Sequence, residues 1–336
     1  MKVLMIGGTG IISSACCELA LQRGMELTIL NRSISSKFPI PQGARHIVGD
    51  IHADEARLTG ALEGQHFDVV VDWVAYTPPD IEHDLRLFRD KTGQFVFISS
   101  ASAYHKPPSH YVITEETPLD NPFWEYSRNK IAIEERLMRA YRDEGFPVTI
   151  IRPSLTYGPS QIPLAGGSWQ HPYTVIDRIR KGKQVIIPGD GTSLWTVTWN
   201  GDFAKGLIGL LGQKEAIGEA FHITSDEVLC WNQIFFEVGR ALGMELRAVH
   251  IASELIAAYD PDAIGSLIGD KNNSAIFDNS KIKRFVPDFK CEVPWSEGVR
   301  RAIAWHDADP SHMSIDAQMN ATWDTILAAN QRAYPA

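Results

Sequence analysis

An apolar run, Val3 to Ile6, leads directly into Gly7-Gly8-Thr9-Gly10, and a helical pattern begins at the next residue. Few folds place three glycines in four positions between a buried strand and an amphipathic helix. Glycine permits the sharp turn and lets backbone N–H groups come close to a bound group, while the helix N-terminus favours negative charge. Strand, glycine loop and helix in this order form the context that a dinucleotide-binding turn requires. The pattern places Gly7, Gly8, Thr9, Gly10, Ile11 and Ile12 around a pyrophosphate. Ser13 stands where the pattern carries a third glycine, a position that governs how closely helix and strand pack. Serine is small enough to fit there while shifting the helix slightly.

The rest of the first half repeats the alternation. Strands are expected at Glu26 to Leu30, His46 to Val48, Phe67 to Val71, Gln94 to Ile98 and Val148 to Ile151. Helices are expected at Ile11 to Arg23, Ala53 to Leu62, Pro79 to Arg89 and Trp124 to Glu144, with Gly24 and Gly64 as stops. Strands apolar throughout and separated by helices indicate a parallel sheet covered on both faces. The fold class is therefore α/β, a Rossmann-type doubly wound parallel sheet with a smaller C-terminal substrate-binding region. The alternation fades after Pro159, and Gly201 to Leu211 reads as a helix returning to the first unit. This gives a nucleotide-binding domain at 1–160 joined by 195–226, and a substrate-binding region at 161–194 and 227–336.

Asn31 closes the second strand, 21 residues beyond Gly10, where an NAD enzyme places an acidic group on the ribose 2′-hydroxyl. Asn does not repel a 2′-phosphate, and Arg32 offers a cation for one. The cofactor is read as NADP or NAD, with the balance toward NADP. Against this, Arg32 also reads as a solvated loop residue or one that stacks on adenine. Asp50, followed by Ile51, suits either a hydrogen bond to the adenine edge or a helix cap.

Tyr126 and Lys130 open the long helix four residues apart, on one face. A tyrosine with its usual pKa of about 10 is a poor base at neutrality, and a nearby ammonium favours the phenolate. The same lysine is placed to hold a nicotinamide ribose. Upstream, Ser99-Ser100-Ala101-Ser102-Ala103-Tyr104 follows a strand, so Ser100 emerges beside the tyrosine to hydrogen-bond a substrate oxygen.

With the glycine loop, the Asp50 turn, this serine-rich strand end, Tyr126/Lys130 and Ile151-Arg152-Pro153-Ser154-Leu155-Thr156-Tyr157-Gly158-Pro159, the chain resembles the extended short-chain dehydrogenase/reductases of the NAD-dependent epimerase/dehydratase family. The resemblance implies an enzyme that oxidises or reduces a secondary alcohol or ketone, with Ser100, Tyr126 and Lys130 catalytic and Ser99 and Ser102 as rivals to Ser100. Trp73, Ala75 and Pro153 join the cofactor set, and a homodimer through the long helix is expected. The family's dehydratases carry an Asp-Glu pair after the catalytic Ser or Thr. Here Ala101-Ser102 follows, which disfavours dehydration. Trp195 stands near the position of a diphosphate-binding arginine, which weakens a nucleotide-diphosphate substrate. His105 replaces a usual glycine and reads either as a group projecting into the site or as a solvated loop residue. Tyr76, Ser102, Tyr157 and Trp195 are taken as substrate-binding, for a carbohydrate-like ring that aromatic faces can cover. The leading function is an epimerase or reductase on such a hydroxyl or keto group. The alternatives are an NADPH-dependent reductase of non-sugar ketones and a non-catalytic nucleotide- or RNA-binding relative.

Phe67-Asp68-Val69-Val70-Val71-Asp72 with Tyr76-Thr77-Pro78 also resembles chloroplast stem-loop RNA-binding relatives. A formal charge of -9 repels phosphate backbones, and Lys281, Lys283 and Arg284 form the densest basic cluster, so no nucleic-acid partner is expected. No apolar run reaches the ~20 residues that span a bilayer, and the N-terminal run reads as a strand, not a signal peptide, so a cytoplasmic location is expected. Cys16, Cys17, Cys230 and Cys291 form no CxxC pair, and no metal site is read.

Overall fold

The computed structural model describes residues 1–34 and 37–333, with the backbone alone at 55 and 56. Seven parallel strands form the central sheet: β1 (Lys2–Ile6), β2 (Glu26–Asn31), β3 (Arg45–Val48), β4 (Val69–Asp72), β5 (Phe95–Ile98), β6 (Val148–Pro153) and β7 (Ala220–Ile223). Their order is β7-β6-β5-β4-β1-β2-β3. The order reverses between β1 and β4, and that switch point opens a crevice beyond the strands' C-terminal ends.

The continuous apolar strands follow from two covered faces. In β1, Val3 and Met5 pack with α1 (Ser13–Gln22), while Leu4 and Ile6 pack on the other face with α3 (Pro78–Phe88) and α4 (Glu125–Glu144). Helix α2 (Glu55–Ala61) follows β3, and α5 (Asn200–Leu210) packs along α1. Each expected element of the first half is present, with ends moved by at most two residues. Gly24, at φ +73°, follows α1, and Gly145, at φ +69°, ends α4 with its N–H on Ala140 O. At α3, Thr77 and Asp80 form a capping box with Pro78 in the first turn, and the Asp80 carboxylate accepts the N–H groups of Tyr76 and Thr77.

The second half is more regular than its Pro- and Trp-rich sequence suggests. Four two-stranded pairings hold it: Leu155–Tyr157 with Val197–Trp199, Leu194–Trp195 with Leu229–Cys230, Val185–Pro188 with Ala248–Ile251, and Val112–Ile113 with Ile276–Phe277. Around them grows a second core built on Tyr157, Trp195, Trp231 and Trp295. Ile282, Val286 and Phe289 pack instead into the core beneath α1 and α5. Cys16 and Cys17 are both buried in that core as free thiols, with the Cys17 thiol on Gly8 O. No helix among the described residues is long and apolar enough to cross a membrane.

Gly8 sits at φ +72°, and a Cβ there would lie 2.9 Å from the Ile29 side chain. Gly8→Ala is therefore expected to lose about 1–3 kcal/mol of stability. A urea midpoint equal to that of the parent protein would show that the loop relaxes freely.

Candidate active site

At the switch point a cavity of about 1410 Å³ runs along the C-terminal edge of the sheet. That exceeds the ~300–1,000 Å³ of a typical single-ligand pocket. The glycine loop lines one end with Gly7, Thr9, Gly10, Ile11 and Ile12, joined by Asn31, Arg32, Asp50 and Ile51. Gly7 adopts φ +112°, and a Cβ would stand 3.0 Å from Trp73 Cβ, so only glycine lets the loop lie against the β4 end. These features suit a pyrophosphate cradle. Gly8 does not line the cavity; it packs against Ile29 and Cys17. Ser13 accepts the Gly10 N–H at 2.9 Å, so the serine in place of glycine ties the loop to the first turn of α1.

Asn31 is fully engaged. Its Nδ2 donates to Gly7 O and Thr9 Oγ1, and its Oδ1 accepts from Ser33 N and lies 3.0 Å from His46 Nε2. Arg32 is 64% exposed, 3.7 Å from Asp50 Oδ2. Asp50 is not a helix cap. Its Oδ1 accepts His52 N, and Asp54 stands at the α2 N-terminus.

The middle of the cavity brings Ser100, Tyr126 and Lys130 together with Trp73, Tyr76 and Pro153. Strand β5 ends at Ile98, and Ser100 opens a single turn (Ala101–Ala103), accepting the Ser102 N–H. The Ser100 hydroxyl meets Ser102 Oγ at 2.9 Å. The nearest rivals face other partners: Ser99 donates to Glu134, and Ser102 receives the Ser127 hydroxyl. Burial pushes the Tyr126 phenol up to about 12, with the Ser100 hydrogen bond pulling down and Tyr76 and Asp270 pushing up. Burial pushes Lys130 down to about 8, with the Asp72, Glu134 and Asp80 carboxylates opposing. Its ammonium donates to Ala75 O at 2.7 Å and Ile98 O at 2.9 Å, and sits 4.9 Å from the Tyr76 ring and 5.8 Å from the Tyr126 ring. Ala75 itself is fully buried and does not line the cavity; its carbonyl serves Lys130.

At the far end stand Ser102, Trp124, Trp195 and a charged group that the motifs did not reveal. Asp270 lies between Lys106 at 3.1 Å and Lys271 at 3.5 Å. The Lys106 ammonium lies over Trp195, and that of Lys271 over Trp124. Asp270 and Lys271 belong to a π-helical turn (Leu267–Lys271), a distortion that often marks functional sites. Asn121 joins this turn to the serines, donating to Gly269 O and Ser102 O. Lys106 and Asp270 are too far apart in the chain for spacing to pair them.

Tyr157 is not in the cavity. It is fully buried, edge-on to Trp199 and Trp295, because its strand pairs with Val197–Trp199 and turns the ring into the second core. Trp195 lines the cavity but is stacked on Trp231 and nearly buried. His105 stays on a loop beside Asp120, outside the cavity.

A family model described as "NAD dependent epimerase/dehydratase family" matches residues 3–224. Among curated proteins, the chain is 23% identical to 2'-dehydrokanamycin reductase of Streptomyces kanamyceticus over 86% of this chain and 80% of that protein. It is 24% identical to UDP-glucose 4-epimerase of Lactobacillus helveticus over 92% of this chain and 98% of that one. Among solved structures, UDP-glucuronic acid 4-epimerase from Bacillus cereus in complex with NAD superposes with a TM-score of 0.74 at 19% identity, covering 93% of this chain and 100% of that chain.

Proposed function

This chain is an enzyme of the NAD dependent epimerase/dehydratase family, and on that premise we propose that it interconverts a secondary hydroxyl and the corresponding keto group on a carbohydrate-like substrate. One observation carries the reading. The Ser100 and Tyr126 side chains line the same stretch of the cavity, where its glycine-loop end meets its tryptophan-lined end, with the Lys130 ammonium 5.8 Å from the Tyr126 ring. A nicotinamide dinucleotide bound along the first end supplies the two-electron chemistry. Gly7, Thr9, Gly10, Ile11 and Ile12 would cradle its pyrophosphate, and Lys130 its nicotinamide ribose. Ser100 donates a hydrogen bond to the substrate oxygen, and Tyr126 exchanges a proton with that same oxygen. Trp124 and the exposed Tyr76 offer aromatic surface, while Lys106 and Asp270 offer a donor and an acceptor for ring substituents. The names of the relatives, 2'-dehydrokanamycin reductase and UDP-glucose 4-epimerase, support a sugar-like substrate.

The dinucleotide is NADP in this reading. Asn31 presents no carboxylate to the ribose, and the Arg32 guanidinium stands at the rim with only a long contact to Asp50. NADP favours net reduction over an epimerisation that retains its cofactor. Denaturing the purified protein and identifying released nucleotide by mass spectrometry tests this. The expected result is protein free of retained NAD that then binds NADPH in preference to NADH. Arg32→Ala should weaken NADPH about tenfold and leave NADH unchanged. Near-stoichiometric retained NAD would instead assign a redox-neutral epimerase. Failure to bind either dinucleotide would end the proposal.

A further inference from the structure

Two aspartates hold three oxygen atoms that meet no donor among the described residues. Asp72 ends β4 and Asp84 lies in the second turn of α3, both with 0% exposure. Asp72 Oδ1 accepts the N–H groups of Val74 at 2.7 Å and Ala75 at 3.3 Å. Its Oδ2 and both Asp84 oxygens find no donor among the described residues. Asp72 is the charged neighbour that bears most strongly on Asp84, and both side chains are fully buried. An ionised carboxylate can only accept, and two of them in one dry site repel. A single proton between them removes both difficulties.

We propose that Asp84 is a positioning residue that keeps its proton at neutral pH and donates it to Asp72 Oδ2, leaving one negative charge beneath Lys130. Burial, with Asp72 beside it and Asp80 further off, raises the Asp84 carboxyl well above the usual range. The pinned Asp72 then does two things. Its Oδ1 shapes the turn that presents Ala75 O to the Lys130 ammonium, and its charge opposes the loss of the Lys130 proton to burial. The other titratable groups around the pair are Asp80 and His83 on α3, His52 against both, Tyr76 on the loop, and Lys130 and Glu134 on α4. None of them donates a hydrogen bond to the three oxygens. The consequence for turnover rests on the role assigned to Lys130 above, but the protonation of Asp84 does not.

The test therefore begins without substrate. With carboxyl-labelled aspartate, infrared and carbon NMR spectra at pH 7 should show one protonated aspartic acid in the parent protein, absent from Asp84→Asn. Stability gives a second reading. The folded protein holds this proton while the unfolded chain releases it above about pH 4, so raising the pH favours unfolding. The parent protein should thus lose up to about tenfold in its folding equilibrium per pH unit relative to Asp84→Asn between pH 5 and 7. In turnover, Asp84→Leu, which cannot donate, should lower kcat about tenfold or more, with Asp84→Asn restoring it through its amide. No protonated aspartate at pH 7, or a stability difference flat with pH, overturns the proposal. If Asp84→Asn does not accumulate, the spectrum of the parent protein decides alone. Intact spectra with no detectable turnover in any variant would leave Asp84 protonated and sink the reading of the active site instead.

Discussion

Tyr126→Phe is expected to lower turnover by about 10²–10⁴-fold while leaving dinucleotide affinity within about twofold. The substitution removes one oxygen. It keeps the ring that packs at 5.1 Å on Trp124, and the ring lies beyond the glycine loop proposed to cradle the pyrophosphate. In the proposed reading the lost group is the proton carrier at the substrate oxygen, which the Ser100 hydroxyl, paired with that of Ser102, would not replace. The pH dependence adds a second check. In the reductive direction Tyr126 acts as the acid, and burial, which holds it at about 12, keeps it protonated throughout the physiological range. Tyr126 therefore contributes no falling limb to kcat/KM near neutrality. Lys130 does. Its ammonium, lowered to about 8, is fully charged below that pH and is lost as the pH rises through it. The falling limb near pH 8 should move upward in Lys130→Arg, whose charge persists. Full activity in Tyr126→Phe would remove Tyr126 from the chemistry.

The parts of this site that could be read in the sequence are those whose geometry is local. Tyr126 and Lys130 share a helical face whatever surrounds them, and Ser100 follows Phe95–Ile98, a strand apolar throughout. The glycine loop declares itself because φ +112° at Gly7 admits few other residues. What failed to show depends on distant segments. Lys106 and Asp270 meet only because a π-helical turn near the C-terminal third folds over the serine turn, and no spacing encodes that. Tyr157 misled for a related reason. It reads as an aromatic face for a carbohydrate-like ring, but the pairing of its strand with Val197–Trp199 turns it inward. Asp84 lay unnoticed in a helix that reads as amphipathic, since nothing in the pattern shows that its acidic residue faces the sheet.

The largest loss of stability should come from Arg152, which is quoted in the Ile151-Arg152-Pro153 motif but acts behind the active site. Its guanidinium pairs with Glu134 at 2.6 Å, both side chains nearly inaccessible, and also reaches Tyr104 OH and Glu115 O at 3.2 Å. Burial opposes the charge on Arg152, and Glu134 with Tyr104 more than restores it. A buried ion pair gives little net stability over an apolar pair, but removing one partner strands the other charge. Arg152→Met should therefore cost about 3–5 kcal/mol in urea unfolding with an unchanged slope. The Glu134→Gln/Arg152→Met double variant should recover part of that loss, because the stranded carboxylate is gone. Turnover should fall along with stability in the single variant. Ser99 donates to Glu134, so the pair anchors the strand end from which Ser100 projects. A double variant no more stable than the single one would show that shape, not charge, decides this corner. Equal stability of Arg152→Met and the parent protein would show that water reaches Glu134 as soon as the guanidinium leaves.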